Sequence, residues 1–189
     1  MSTNSSDVQT LMHIGGFSSG YEEHLRHLGQ YLVPRLPELT DRFYECLLAN
    51  ELTCPYVERR VEQLKKAHIA WLTELFSGDY GEDFMARQRR IGEIHVAVGI
   101  PPPFVASSMS FLRSAFPNEI EIIARSLGEP IGICTGMILR LLDLCQYLID
   151  SAYEAERMRR LTAATGMSPA LLENLIALRP VTKQKSIMG

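Results

Sequence analysis

Between Ile131 and Ala152 the residues Ile131, Cys134, Ile138, Leu141, Cys145, Leu148 and Ala152 fall at alternating steps of three and four. That spacing is the seam of a helix pair. Alternating Val/Ile/Thr runs and Asn-Gly hairpin signals are nearly absent from the sequence, so no sheet is expected to accompany it. Helical periodicity recurs instead. The chain of 189 residues is 46% hydrophobic, enough for one domain with an ordinary core and a short appendage.

Punctuation by Pro and Gly divides the remainder. A loose turn or two is expected around residues 6–14, then a helix from Ser18 to Val33 that Pro34 and Pro37 end. The next runs from Pro37 to Ala49 with Leu39, Phe43 and Leu47 on one side. A long helix from Pro55 to Phe76 carries Val57, Val61, Leu64, His68, Trp71, Leu72 and Leu75 at helical spacing. Another, from Glu82 to Val98, aligns Phe84, Ile91, His95 and Val98. Pro101 to Pro103 opens a helix to Leu127 that is apolar on two faces, Phe104/Ser108/Phe111/Ala115 and Val105/Met109/Leu112/Phe116/Ile120. The last long helix spans Ile131 to Leu161. About six long helices make an all-α domain over residues 1–160. A weak helix from Pro169 to Leu178 and the basic tail VTKQKSIMG make residues 161–189 a linker or tail.

A net charge of −3 and a pI near 6 imply no general attraction to nucleic acid or anionic lipid. Arg140, Asp143 and Gln146 interrupt the segment Ile131–Ile149, which argues against a membrane span. The opening MSTNSSDVQT lacks the order of a secretory signal, so a cytoplasmic location is expected. Cys46, Cys54, Cys134 and Cys145 show no CxxC spacing, so neither a zinc site nor a redox pair is expected.

His68 and His95 lie on apolar faces of two different helices. A histidine so placed is most often a hydrogen-bonded core residue; the sharper reading is an imidazole facing a haem-sized cleft, since neutral imidazole is a common axial ligand of haem iron. Gly92 also needs a reason, because glycine inside a helix costs up to about 1 kcal/mol. Close approach of another helix or of a flat ligand would supply one.

The run LKKAHIAWLTELFSGDYGEDFMARQRRIGEIHVAVGIPPPF carries a resemblance. Leu64-Lys65, Trp71-Leu72, Leu75-Phe76-Ser77-Gly78, Tyr80, Arg89/Arg90, Ile91-Gly92, His95, Gly99-Ile100 and Pro101-Pro102, with Phe43-Tyr44 before Leu47-Leu48 upstream, resemble the haem domain of globin-coupled sensors. These are bacterial globins related to protoglobin, and the likeness spans roughly residues 6 to 160. It implies a globin fold with an extra N-terminal helical segment and a haem b (iron protoporphyrin IX) cofactor. His95 would be the iron ligand, its second ring nitrogen bonded to a backbone carbonyl one turn back, near Ile91. Tyr44 would be the distal donor to bound O₂. Leu64 and Ala67 would line the distal pocket, and Ile91 and Val98 would flank His95. His68, one turn after Leu64, would either reach the cofactor edge, a propionate or the sixth position, or pack on the helix shoulder.

The resemblance thus implies a haem-based gas sensor for O₂, with CO and NO as further ligands. It would act as a homodimer, not an enzyme, and pass ligation state to a fused or separate transmitter. The dimer is expected to use Ile138, Leu141, Cys145 and Leu148, with Arg157 to Arg160 leading out. Residues after Leu161 are too few for a transmitter, and RMRRLTAATGMSPALLENLIAL resembles the linker of multidomain members. Two other readings stand beside it. A stand-alone globin enzyme (NO dioxygenase or peroxidase-like) needs electron delivery, for which no GxGxxG is present. A haem-free interaction module is disfavoured by the presence of His95.

Overall fold

The structure, a computed structural model, describes residues 3–17 and 20–177. Every regular element among them is helical: α1 (Thr3–Ile14), α2 (Tyr21–Leu32), α3 (Leu36–Ala49), α4 (Cys54–Val57), α5 (Val61–Glu74), α6 (Glu82–Ala97), α7 (Pro102–Leu127), α8 (Ile131–Thr165) and α9 (Pro169–Ala177). Two 3₁₀ turns, Val33–Arg35 and Glu58–Arg60, join α2 to α3 and α4 to α5. The expected start at Ser18 and the basic tail lie outside the described residues.

Two boundaries differ from expectation. Residues 6–14 belong to a three-turn helix, because Val8 is buried in the main core and so gives α1 a packed face. The expected helix from Pro55 to Phe76 is broken. Pro55 opens the single turn of α4, the exposed run Glu58-Arg59-Arg60 has nothing apolar to bury, and Arg60 leaves the helical region at φ −149°, ψ 31°. α5 therefore begins a new axis at Val61.

The core lies where α8 packs on α6 and α7, with α2 over the same layer. The α7 face Val105, Met109, Leu112, Phe116 and Ile120 is fully buried, while Phe104, Ser108, Phe111 and Ala115 are half-buried. α8 is long and apolar enough by composition to cross a membrane. Its seam already has a partner, however. Ile138, Leu141, Cys145 and Leu148 are all buried within the chain itself, so they hold α8 in its own core and are not the residues that could join two copies. The periodicity was correct for a helix pair; its partners are intramolecular.

A buried carboxylate fixes α7 against α3. Glu119 accepts from Arg35 Nε at 2.5 Å and from Arg42 Nη2 at 2.7 Å. Burial alone would raise its pKa, but the two guanidinium groups overcome that and hold it below the usual carboxylate range. Arg42 and Tyr44 share α3, so this network also anchors the helix that carries Tyr44.

Candidate functional site

His95 is positioned by how α6 ends. Gly99 takes φ +75°, a conformation that suits glycine. Ile100 N–H donates to His95 O at 3.0 Å and Gly99 N–H to Val96 O at 3.1 Å. These are the two bonds of a Schellman motif. Pro101 then adopts an extended conformation and Pro102 starts α7. Tyr153 of α8 donates its hydroxyl to Ile100 O at 2.9 Å, tying this corner to the core.

The imidazole itself is oriented by one bond. Nδ1 of His95 lies 2.8 Å from the carbonyl oxygen of Ile91, one turn back. A carbonyl can only accept, so Nδ1 carries the proton and Nε2 keeps a lone pair. Nε2 has no hydrogen-bond partner among the described residues. Burial pulls the His95 pKa down, and the bond to Ile91 opposes this in part. The ring is therefore neutral at physiological pH. Beside it, Ile94 is 50% exposed and Val98 43% exposed, forming an apolar ledge at the end of α6. Ile91 is half-buried.

The buried face of α6 is not the expected apolar stripe. Phe84, Gln88 and Gly92 face inward. A Cβ at Gly92 would stand 2.5 Å from the Ile149 carbonyl oxygen and 2.8 Å from Ala152 Cβ. The glycine allows α6 and α8 to cross in near contact, which is the reason its sequence position demanded. Gly92→Ala should therefore destabilise the chain by about 1–3 kcal/mol, the usual penalty of overpacking. Gly136→Ala, also within a helix but with no neighbour nearer than 3.7 Å, should be neutral or stabilise by up to about 1 kcal/mol. Urea denaturation of both variants checks this, and equal effects would contradict it.

A second, smaller cluster forms around α3 and α5. Phe43, Tyr44 and Val57 are buried there, with Leu47, Tyr56, Val61, Leu64 and Phe111 against them. Tyr44 is 6% exposed, and burial pushes its pKa up to about 12. It is a neutral phenol, and its hydroxyl has no hydrogen-bond partner among the described residues. His68 stacks between Phe43, at 4.8 Å between ring centroids, and Trp71, at 5.7 Å. Thr40 Oγ1 is hydrogen-bonded to its Nδ1 at 3.1 Å. Burial pulls the His68 pKa down to about 4, so this imidazole too is neutral.

The structure thus gathers Tyr44, Leu64 and His68 on one side and Ile91, His95 and Val98 on another. Tyr44 and His68 are 5.9 Å apart by ring centroid. Ala67 is exposed. Among the described residues, no hydrogen bond or ring contact links Tyr44, Leu64 or His68 to His95. The two helices are tied elsewhere: Trp71 Nε1 donates to Gln88 Oε1 at 2.8 Å. The sequence carries no signal for Thr40 or Gln88, because a single polar residue on an apolar face has no period to reveal it. Two surface concavities are lined by none of these residues. One of about 640 Å³ sits between α2 and α5, and one of about 990 Å³ sits between the α6–α7 corner and the end of α8.

The donor set suits a haem. It offers a neutral imidazole, His95, whose Nε2 has no partner among the described residues, an apolar ledge beside it, and a neutral phenol, Tyr44, that donates to no side chain or backbone group there. Comparison with known proteins decides the family. The protoglobin family model matches residues 4–159. The chain belongs to the protoglobin family. Globins of this kind imply a haem cofactor, and the all-helical architecture is a globin fold. Among solved structures, the globin domain of the Geobacter sulfurreducens globin-coupled sensor matches with a TM-score of 0.70 at 23% identity, over 77% of this chain and 96% of that one. No curated protein matches the sequence.

Proposed function

We propose that this protoglobin-family chain is a haem-based gas sensor domain that binds O₂ reversibly, with His95 as the iron ligand. The observation that carries the reading is the state of His95: neutral, oriented by Ile91 O, with Nε2 free. Haem b, when bound, supplies the reversible coordination of diatomic gases. The chain's own residues do the rest. Ile91 O holds the imidazole tautomer, Ile94 and Val98 offer an apolar surface to a macrocycle, and Tyr44 offers a phenol proton to a polar bound gas. Leu64 and Ala67, on α5, would border that gas. His68, held by Thr40 and stacked on two aromatic rings, shapes this side as a packed neutral ring. A purified chain with a Soret band that shifts reversibly under O₂ and under CO supports the reading; a chain without such a band sinks it. Membership of the protoglobin family and likeness to the globin domain of a globin-coupled sensor support a binding role, and a cytoplasmic location goes with that reading.

The transmitter, fused or separate, would receive the signal through a homodimer built on α7 and α8. The seam residues being occupied, the contact would fall on the outward residues, Ile122 at 57% exposed and Ile133 at 58%. His95 sits six residues before Pro101, so a shift of its ring would reach α7 directly. Sedimentation of the parent at tens of micromolar should give a dimer and Ile133→Glu a weaker one. A monomeric parent would end the dimer proposal and leave the haem site standing.

A further inference from the structure

His24 of α2, Glu129 in the α7–α8 turn and Cys134 in the first turn of α8 converge on one point. His24 Nε2 lies 3.5 Å from Cys134 Sγ and 3.8 Å from Glu129 Oε2. All three ligand atoms fall within 4.8 Å of one another. We propose that these three side chains bind one divalent metal ion of zinc type, with the fourth position open to water.

The geometry separates this from a catalytic triad. In a Cys–His–acid relay, the thiol and the carboxylate occupy opposite nitrogens of the imidazole. Here both approach the same nitrogen, Nε2. A thiol, an imidazole nitrogen and a carboxylate oxygen thus converge on one side of the ring; burial and Glu129 push the Cys134 pKa up, so its thiol carries a proton that a bound metal would displace. A metal ion resolves that convergence. Tetrahedral zinc, with bonds of about 2.0–2.3 Å, places its ligand atoms roughly 3.3–3.8 Å apart, and both measured edges lie in that range. A thiolate, a carboxylate and a neutral imidazole also balance a divalent charge, and a mixed S/N/O set suits zinc better than magnesium or calcium.

The local backbone builds the site. Gly128, at φ +70°, ends α7, and Glu129 N–H donates to Ala124 O at 2.9 Å. Pro130 then precedes α8, and its carbonyl accepts from Cys134 N–H at 3.1 Å. Glu129 and Cys134 are thereby held on one side of a tight turn, facing α2. Cys134 is fully buried, while the side chains of His24 and Glu129 are 28% and 29% exposed and leave an approach from solvent. No CxxC spacing announces the site, since its ligands are brought together only by folding.

The test is metal analysis of the full chain, as purified, after dialysis against micromolar zinc. The parent should hold about one zinc per chain. His24→Ala and Cys134→Ser should each weaken binding by more than the roughly 10–100-fold that loss of an outer-shell partner costs. Cys54→Ser should bind like the parent. Zinc should also raise the melting temperature of the parent and leave that of His24→Ala unmoved, which keeps the test decisive if Cys134→Ser fails to fold. A parent that takes up no more zinc than His24→Ala, or a Cys134→Ser variant that folds and binds equally well, overturns the proposal.

Discussion

His95→Ala is expected to yield a folded, all-helical chain that purifies with little haem. Alanine is the best helix former, so α6 should persist. The crossing with α8 runs through Gly92, one turn away, and does not use the imidazole. What the substitution removes is the one neutral imidazole with its Nδ1 proton committed to Ile91 O and its Nε2 free. The ratio of Soret to protein absorbance reads the loss, circular dichroism confirms the fold, and added imidazole should restore part of the band. Full haem retention with an unaltered spectrum would show that another residue holds the iron. His68 is the other imidazole to examine, and a His68→Ala variant keeping its haem would leave His95 as the ligand.

Tyr44→Phe should raise the O₂ dissociation rate by about tenfold to a hundredfold, corresponding to a hydrogen bond of roughly 1.5–3 kcal/mol to a partly charged acceptor. The phenol is protonated throughout the physiological range because burial pushes its pKa up to about 12. It has no other partner among the described residues, so its proton is available to the gas. Bound O₂ carries partial negative charge and CO much less, so the CO rate should change little. Phe preserves the ring that packs 5.2 Å from Phe43 and 5.9 Å from His68, which keeps the cluster intact. Stopped-flow measurement of both gases decides the matter: equal changes for O₂ and CO would mean that the substitution had altered the pocket's shape instead of a hydrogen bond.

Helix positions and the end of α6 were legible in the sequence, because they depend on local signals. Apolar residues at period 3.6 mark α3, α5, α7 and α8, and Gly99 with three prolines marks the corner that carries His95. The family resemblance was legible as well, since it rests on short motifs around Tyr44, Leu75–Gly78 and His95. Tertiary structure decided what period cannot encode. The seam Ile138–Leu141–Cys145–Leu148 looks the same whether its partners lie in its own chain or in a second copy, and burial within the chain shows the former. α6 turns Gln88 and Gly92 inward, because a helix crossing depends on distance to the neighbouring backbone as well as on apolarity. Thr40 beside His68, and His24 and Glu129 beside Cys134, meet across wide sequence separations. Hydrogen bonds and ligand clusters of this kind depend on atomic positions within a few ångströms, and only the packed chain brings those atoms together.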